Sequence, residues 1–592
     1  FFGNTTMNSD IPFFTANHVG ALVRIFHEGQ GGQWHLGALD AKTDAIEVTG
    51  IADTGGSSPI DDTGVSDRNI TVSVSGTWSG TAMIEKSITG AESGFKPAGN
   101  NLFSASAAPT DTGTFFRKIV DRDDNIKVWY RVRLSGYSSG VAVVKLTYFY
   151  GGVTGIARIT EYNSNTSVDV EVLSRFSDTG SSDNWQQGYW SAAKGFPTAV
   201  ALHGGRLAHA RGGSLFLSVS DDYENFKDTT VGDAAPIIRT LGSGPVDNIH
   251  YLVSLLRLII GTAGAEIAAR SSSLDEPLTP DNSTALTFST QGSANLRALK
   301  MDTRAIMVQR SKQRVYMIGP AENTLADYEG FELTLLVPDL LAAGVVSIAV
   351  QRQPDTRIHC VLGDGTVAIL TYEPQEEVIC WSKWAGDTGT APTVEKAVVL
   401  PGVAEDAVFY HIRRTINGAT KRYLEKWAKE SECEGDTGLT WLMDCASSLT
   451  DTGRVTELNA IATHLVNESV VVWGSLDTGS TPHVDLSPGH GALQTRWTVD
   501  TGGDVTLTGL TEGVHHAVAG LPIQANWKST KLAYAAQLGT ALAQMKRMPQ
   551  LGLALYQTHN DGLLFGGSDT GKLKPLPRKV NGATVDADAI HS

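Results

Sequence analysis

The chain has 592 residues, 47 of them basic and 63 acidic, for a formal net charge of −16. That length exceeds what one hydrophobic core serves and implies about three to five domains. The charge balance excludes a surface wrapped tightly on nucleic acid, which needs Lys and Arg in excess on one face, but not a surface past which DNA slides.

The 62 glycines, the frequent Thr, Val and Ser, and the scarcity of long 3.6-residue periodicity point to an all-β chain. After a polar opening, residues 19–27 are expected as a strand. Residues 68–75 (RNITVSVS) and 81–86 are expected as strands on either side of the corner Gly76-Thr77-Trp78-Ser79-Gly80. Residues 127–134 (KVWYRVRL) and 140–150 (GVAVVKLTYFY) alternate at period two, so one face packs and the other is wet. We read 1–65 as an N-terminal β segment and 66–150 as a β-sandwich domain. The runs 156–162 and 167–173 make 151–189 a small β unit ending in a polar linker.

From residue 190 short strands recur in groups: 198–203 with 215–219, 249–260 with 266–269, and 305–309 with 314–318. The fourth group is 351–384, QRQPDTRIHCVLGDGTVAILTYEPQEEVICWSKW, where runs 358–362 and 366–372 flank Asp364-Gly365 and 378–384 adds a third strand. Asp-Gly between apolar runs predicts a type I′ hairpin, whose central residues need φ > 0. Residues 394–400, 407–413 and 421–427 make the fifth group, with Asn417-Gly418 as its hairpin turn. Such a meander cannot bury its apolar face alone, so five of them predict a β-propeller over 190–428. Only short helices are expected, at 337–343 and 538–545. Residues 429–592 return to strands as a C-terminal β domain: 468–473, 495–499 paired with 504–508, 531–534 and 552–556.

Asp-Thr-Gly occurs ten times, starting at Asp53, Asp62, Asp111, Asp178, Asp387, Asp436, Asp451, Asp477, Asp500 and Asp569. Chance gives on the order of one or fewer, so the excess is a property of this sequence. The copies at Asp178 and Asp477 imitate the aspartic-protease motif, in which two carboxylates share a proton inside a cleft. Asp178 instead lies among Ser, Thr, Gly and Asp, and Gly474-Ser475 interrupts the apolar run before Asp477. Turns, with Asp capping and Gly taking positive φ, are the preferred reading over a protease dyad. His515-His516 is expected as a loop pair rather than metal ligands, and His203-Gly204-Gly205-Arg206 as a hairpin turn rather than a phosphate loop. Asp121-Arg122-Asp123-Asp124-Asn125 lacks the Gly and closing Glu of an EF-hand and is read as a solvated turn. Cys360 and Cys380 are expected as buried small hydrophobes, and Cys433 and Cys445 have no zinc-ligand spacing. No catalytic, cofactor-binding or metal-binding residue is assigned. No apolar run is long enough to span a bilayer, and no signal peptide is expected.

Several strings resemble those of a large tailed-bacteriophage structural protein family. They are 17–24 (NHVGALVR), 76–86, 190–207 (WSAAKGFPTAVALHGGRL), 220–226 (SDDYENF), 271–280 (SSSLDEPLTP), 351–362 and 413–427 (RRTINGATKRYLEKW). The family is similar in organisation to the tail tubular protein B, or tail nozzle, of short-tailed phages. The resemblance runs from about residue 12 to 576 and implies a virion tail protein made in the bacterial host cytoplasm. It further implies a homo-hexamer below the portal-adaptor proteins, carrying tail fibres or spikes, with a β-propeller in each protomer. DNA would be retained in the channel and pass during ejection, without sequence recognition, chemistry or cofactor. A segment preceding Phe1 is expected. Two other classes remain open: a tail adhesion or carbohydrate-binding component, and an aspartic-protease-like or glycan-degrading enzyme.

Overall fold

The structure is a computed structural model. It describes residues 3–27, 29–48, 69–105, 115–120, 127–148, 153–176, 180–228, 230–241, 248–271, 276–321, 324–376, 378–387, 389–428, 443–475, 484–486, 496–509, 513–529 and short pieces between 552 and 591. Among these residues the chain is all β, with antiparallel sheets and no α-helix. It divides into two compact units, 1–197 and 198–592. Among the described residues no helix is long and apolar enough to cross a membrane.

The first unit contains β1 (Gly3–Asn8), β2 (Leu22–His27), β3 (Gln30–Leu36), β4 (Ile46–Val48), β5 (Asn69–Ser75), β6 (Trp78–Ser87) and β7 (Lys96–Ala105). They are followed by β8 (Phe115–Val120), β9 (Val128–Gly140), β10 (Ala142–Tyr148), β11 (Val153–Ser164), β12 (Ser167–Ser174) and β13 (Trp185–Gln187). Sheets ordered β3-β10-β5-β8 and β4-β9-β6-β7 form a sandwich. Its core takes alternate residues of both sheets, Val72 and Val74 from one and Ile84, Val132 and Leu134 from the other. The third sheet is β1-β12-β11-β2-β13. Two expected boundaries therefore fall inside sheets: β3 and β4 belong to the sandwich, while β1 and β2 share a sheet with the 151–189 strands. Sheet partners are chosen by register across long separations, which a run-by-run reading does not see.

The second unit opens with five consecutive meanders. The first is β14 (Ala199–His203), β15 (Arg206–Arg211), β16 (Ser214–Leu217) and β17 (Ile237–Thr240). The second is β18 (Ile249–Ser254), β19 (Leu258–Thr262), β20 (Glu266–Arg270) and β21 (Thr284–Ser289). The third is β22 (Leu299–Met301), β23 (Arg304–Val308), β24 (Val315–Ala321) and β25 (Thr324–Glu332). The fourth is β26 (Val345–Gln351), β27 (Arg357–Leu362), β28 (Val367–Glu373) and β29 (Val378–Trp384). The fifth has three strands, β30 (Thr393–Leu400), β31 (Ala407–Ile416) and β32 (Ala419–Lys426). Each interior sheet is apolar on both faces, and one core joins each consecutive pair: sheets one and two, two and three, three and four, four and five. This stacking of meanders is propeller-like. Burying a Val, Leu or Ile in such a core contributes about 1.5–3 kcal/mol, so the successive cores fix sheet order.

The two hairpin turns differ. Asn417 and Gly418 both have positive φ, at 50° and 72°, as a type I′ turn requires. At Asp364-Gly365 only Gly365 is positive, at 84°, and its N–H donates to the Leu362 carbonyl while Leu362 N–H donates to Thr366. That is a three-residue loop with glycine in the left-handed position, so the expected I′ turn is corrected there. The helix expected at 337–343 is also corrected. Val337, Leu340 and Gly344 N–H groups each donate three residues back, giving successive turns, and Pro338 has no N–H to offer a longer ladder.

The unit continues with β33 (Met443–Val455), β34 (Glu457–Leu458), β35 (Ser469–Ser475), β36 (Val484–Asp485), β37 (Trp497–Thr498), β38 (Val505–Thr506) and β39 (Val514–Pro522), followed by short two-residue strands between 558 and 591. The expected pairing of 495–499 with 504–508 is corrected: β37 pairs β35 and β38 pairs β34. Asp500 explains the divergence, because its carboxylate accepts the N–H groups of Gly502 and Asp504, both at 2.8 Å, and folds a compact turn between them. The expected helix at 538–545 and strand at 531–534 lie outside the described residues, as does most of 552–556.

Candidate functional site

In each meander a hairpin joins the first two strands, and several of these hairpins carry polar contacts to their neighbours. Arg206, Arg304 and Arg357 open the second strand of sheets one, three and four, and Arg257 precedes it in sheet two. By strand alternation they share a face with Ala208, Ile306, His359 and Ile259 respectively, the face turned to the following sheet. Arg206 is buried and donates to the carbonyls of Ser218, Asp233 and Ala235 at 2.6–2.7 Å. Arg304 reaches the Tyr372 hydroxyl of sheet four at 3.2 Å. In sheet five the place is held by Ala407.

Neighbouring hairpins are tied directly. His203 Nδ1 lies 2.9 Å from Ser254 Oγ, joining the first two. Burial, with the Lys300 charge adding to it, pushes His203 down to about 4, so the ring is neutral at pH 7. Arg352 of the fourth hairpin donates to both oxygens of Asp302 in the third, at 2.8 and 3.0 Å. Asp406 of the fifth accepts the backbone N–H groups of Arg352 and Gln353 at 2.7 and 3.2 Å.

Three buried polar groups lie between elements. Arg414 is fully buried and forms a bidentate pair with Glu425 at 2.7 and 2.8 Å. The same guanidinium meets Asp387 at 2.8 Å and Asp444 at 3.2 Å, so three carboxylates surround one cation. Burial alone would lower the Arg414 pKa, but the Glu425 hydrogen bonds and charge outweigh it and the shift is upward. Burial raises Asp444, with the longer contact to Arg414 opposing it only in part. Between sheets two and three, Glu266 accepts from Ser293 Oγ at 2.9 Å, and burial pushes its carboxyl up. Between sheets four and five, His359 Nδ1 lies 2.7 Å from the Tyr410 hydroxyl, with Trp427 edge-on at 5.1 Å. Burial pushes His359 down to about 4. All three sit inside packed cores, where they tie sheets and meet no cleft. No motif marked them out in advance, because Glu266 and His359 are each one polar residue in an apolar run and Arg414 is one of two adjacent arginines in an alternating strand.

The motifs singled out from sequence separate plainly. At Asp387, Asp451 and Asp500 the carboxylate accepts the N–H two residues on, the capping expected, whereas the positive φ expected of the glycine is corrected at Gly453 and Gly502, which do not have it. Asp53, Asp62, Asp111, Asp178, Asp436, Asp477 and Asp569 lie outside the described residues, as do 121–125 and Cys433. His203 to Arg206 is a hairpin, with Gly204 and Gly205 at positive φ. The loop expected at His515-His516 is corrected: both lie in β39, where alternation turns them to opposite faces. Cys360 is buried as expected, whereas Cys380 is exposed because β29 is the sheet's outer strand. Among the described residues no group of three or more His, Cys, Asp or Glu is placed to hold a metal ion. A recess between sheets one and two, lined by Leu215, Leu217, Ile237 and Leu278, is mainly aliphatic.

No protein-family profile matches the chain, and no curated protein does. Among solved structures it is similar to a protein assigned as a 6-phosphogluconolactonase from Bacteroides uniformis. The likeness has 11% identity and a TM-score of 0.27, over 61% of this chain and 96% of that one. It is also similar to a prolyl endopeptidase, with 10% identity and a TM-score of 0.19, over 52% of this chain and 49% of that one. Likenesses this distant carry no argument about activity.

Proposed function

We propose that the chain is a structural subunit of a bacteriophage tail, a nozzle or hub of the tail tubular protein B kind, acting without chemistry. Six copies ring a channel below the portal-adaptor proteins, retain packaged DNA and let it pass during ejection. Fibres or spikes attach outside, and the protein resides in the virion tail. The observation that carries this reading is the array itself: successive meanders share cores, and their hairpins are tied by His203–Ser254, Asp302–Arg352 and Asp406–Arg352. Such cross-ties suit a stiff wall. Segments 190–207, 351–362 and 413–427, which resemble the phage family, fall on sheets one, four and five. A net charge of −16 suits a conduit that does not hold phosphates.

Electron microscopy of the full chain, with mass measurement, tests the proposal. A sixfold ring with a hole wide enough for duplex DNA supports it, and a free monomer overturns it. A second reading, adhesion to glycans, has one favouring feature: Trp185 is 38% exposed and edge-stacked on Phe13 at 4.9 Å. Glycan-array binding lost on Trp185→Ala would select that reading.

A further inference from the structure

The array has two ends, and each outer face leaves aliphatic side chains in solvent, although on sheet one Phe216 is buried beneath Arg211 and the 220–228 loop packs on His209. In sheet one the register aligns Val200, His209, Phe216 and Ile238 on the face away from sheet two, with Leu202 and Leu207 beside them. Val200 is 59% exposed and Leu202 62%. In sheet five the register aligns Val398 with Phe409 and Lys426, and Lys396 with His411 and Leu424, on the face away from sheet four. Val398 and Leu400 are about half exposed and Leu424 is 70% exposed. The first strands of interior sheets, by contrast, are packed between neighbours, as Tyr251 and Val253 are. Among the described residues no core cluster joins sheet one to sheet five, and β14 and β30 both leave aliphatic side chains in solvent.

The two faces are opposite in charge. Sheet five presents exposed Lys396, Arg413, Arg422 and Lys426 around its aliphatics, with Glu395 the acid among them, bonded to Arg422. Sheet one is bordered by the 220–228 loop, whose Phe226 ring packs 5.7 Å from His209 on that face. The loop exposes Asp221, Asp222, Glu224 and Asp228 against Lys227. A basic rim around aliphatics thus faces outward at one end, and an acidic rim around aliphatics at the other.

We infer that sheet five of one copy packs on sheet one of a second copy, continuing the stacking across the subunit boundary. Two different patches meeting head to tail make a heterologous contact, which repeats until it closes a ring or runs on as a filament. The inference deepens the ring reading above and rests on it only for closure.

The full chain is measured by mass photometry and sedimentation as wild type, Arg413→Glu and Glu224→Arg. Wild type is expected to assemble, and each variant to weaken self-association by about tenfold or more while keeping its β-sheet circular dichroism. An equimolar mixture of the two variants is expected to assemble again, because the reversed faces then match in alternation. Leu424→Glu, which no partner reverses, is expected to stay dissociated in any mixture with itself. A monomeric wild type overturns the inference, as does a wild-type assembly that neither variant weakens. A ring indifferent to both variants leaves the nozzle reading standing without this contact. A variant-sensitive filament with no channel leaves the contact standing and removes the nozzle reading.

Discussion

Arg414 shows how an unequal charge count decides the effect of a substitution. One guanidinium serves Asp387, Glu425 and Asp444, and the bidentate pair with Glu425 is the geometry that offsets its desolvation. Glu425→Gln breaks that pair and is expected to cost about 3 kcal/mol in urea unfolding at pH 7. Asp444→Asn keeps an acceptor for Arg414 and for the Asp387 N–H while removing an excess negative charge, so a change within about 1 kcal/mol is expected. The sign follows from the Asp444 pKa, which is raised in the folded state. The folded chain then binds the extra proton, and Asp444 opposes folding above its folded pKa and loses that effect as pH falls from there to the ordinary carboxyl value. Equal losses for the two variants would contradict this account. At this scale the sequence was informative about turns and silent about cores: Asp387 was readable as a capping residue, but its bond to Arg414 joins positions 27 apart.

Strand elements were legible where a run is apolar or is bracketed by a turn motif, and illegible where an outer strand of mixed composition has no such bracket. β27, β28, β29 and β30 stand out as apolar, β-branched runs, while the charged β32 is marked by the Asn417-Gly418 turn before it. β17 and β21 are mostly exposed outer strands with mixed composition, and β22 is three residues long, so none carries a periodic signal. The run at 249–260 was legible as strand but not as two strands, because the turn at 255–257 is Leu-Leu-Arg rather than Gly, Asn or Asp. The fourth hairpin gives a test of which tie matters. Arg352 and Asp302 are exposed partners, so Arg352→Ala is expected to cost below about 0.5 kcal/mol. Asp406→Ala instead strips the acceptor from two backbone N–H groups and is expected to cost about 1–2 kcal/mol. Thermal unfolding of the two variants checks the order, and a larger loss at Arg352 would reverse the assignment.

For the whole molecule, the all-β class was legible from repeated meanders, while the strand make-up of each sheet and the partition into units were not, because strands from residues 3–27 and 153–187 share one sheet. Each unit has its own cores, the sandwich and β1-β12-β11-β2-β13 sheet in the first and the array with the C-terminal sheet in the second. Separate cores imply separate cooperative transitions in calorimetry. Glu85, buried between Arg131 and Arg133 in the first unit, marks one of them through Glu85→Gln, and Arg414→Met marks the other. Acid then distinguishes the two further. His203 and His359, both in the second unit, have folded pKa values near 4 against an ordinary value of 6.5. Between those limits the unfolded chain binds more protons, so stability falls as pH drops from 6.5 to 4 and levels below, by about 3 kcal/mol at most for His359. His203 and His359 are therefore expected to pull the transition shifted by Arg414→Met down between pH 7 and pH 5, while the raised Asp444 and Glu266 carboxyls act in the opposite direction. His359→Phe should flatten part of that slope while leaving the Glu85-marked transition untouched. If His359→Phe kept the full slope, the buried ring would not be neutral at pH 5, and its place in the core between sheets four and five would need a charged partner.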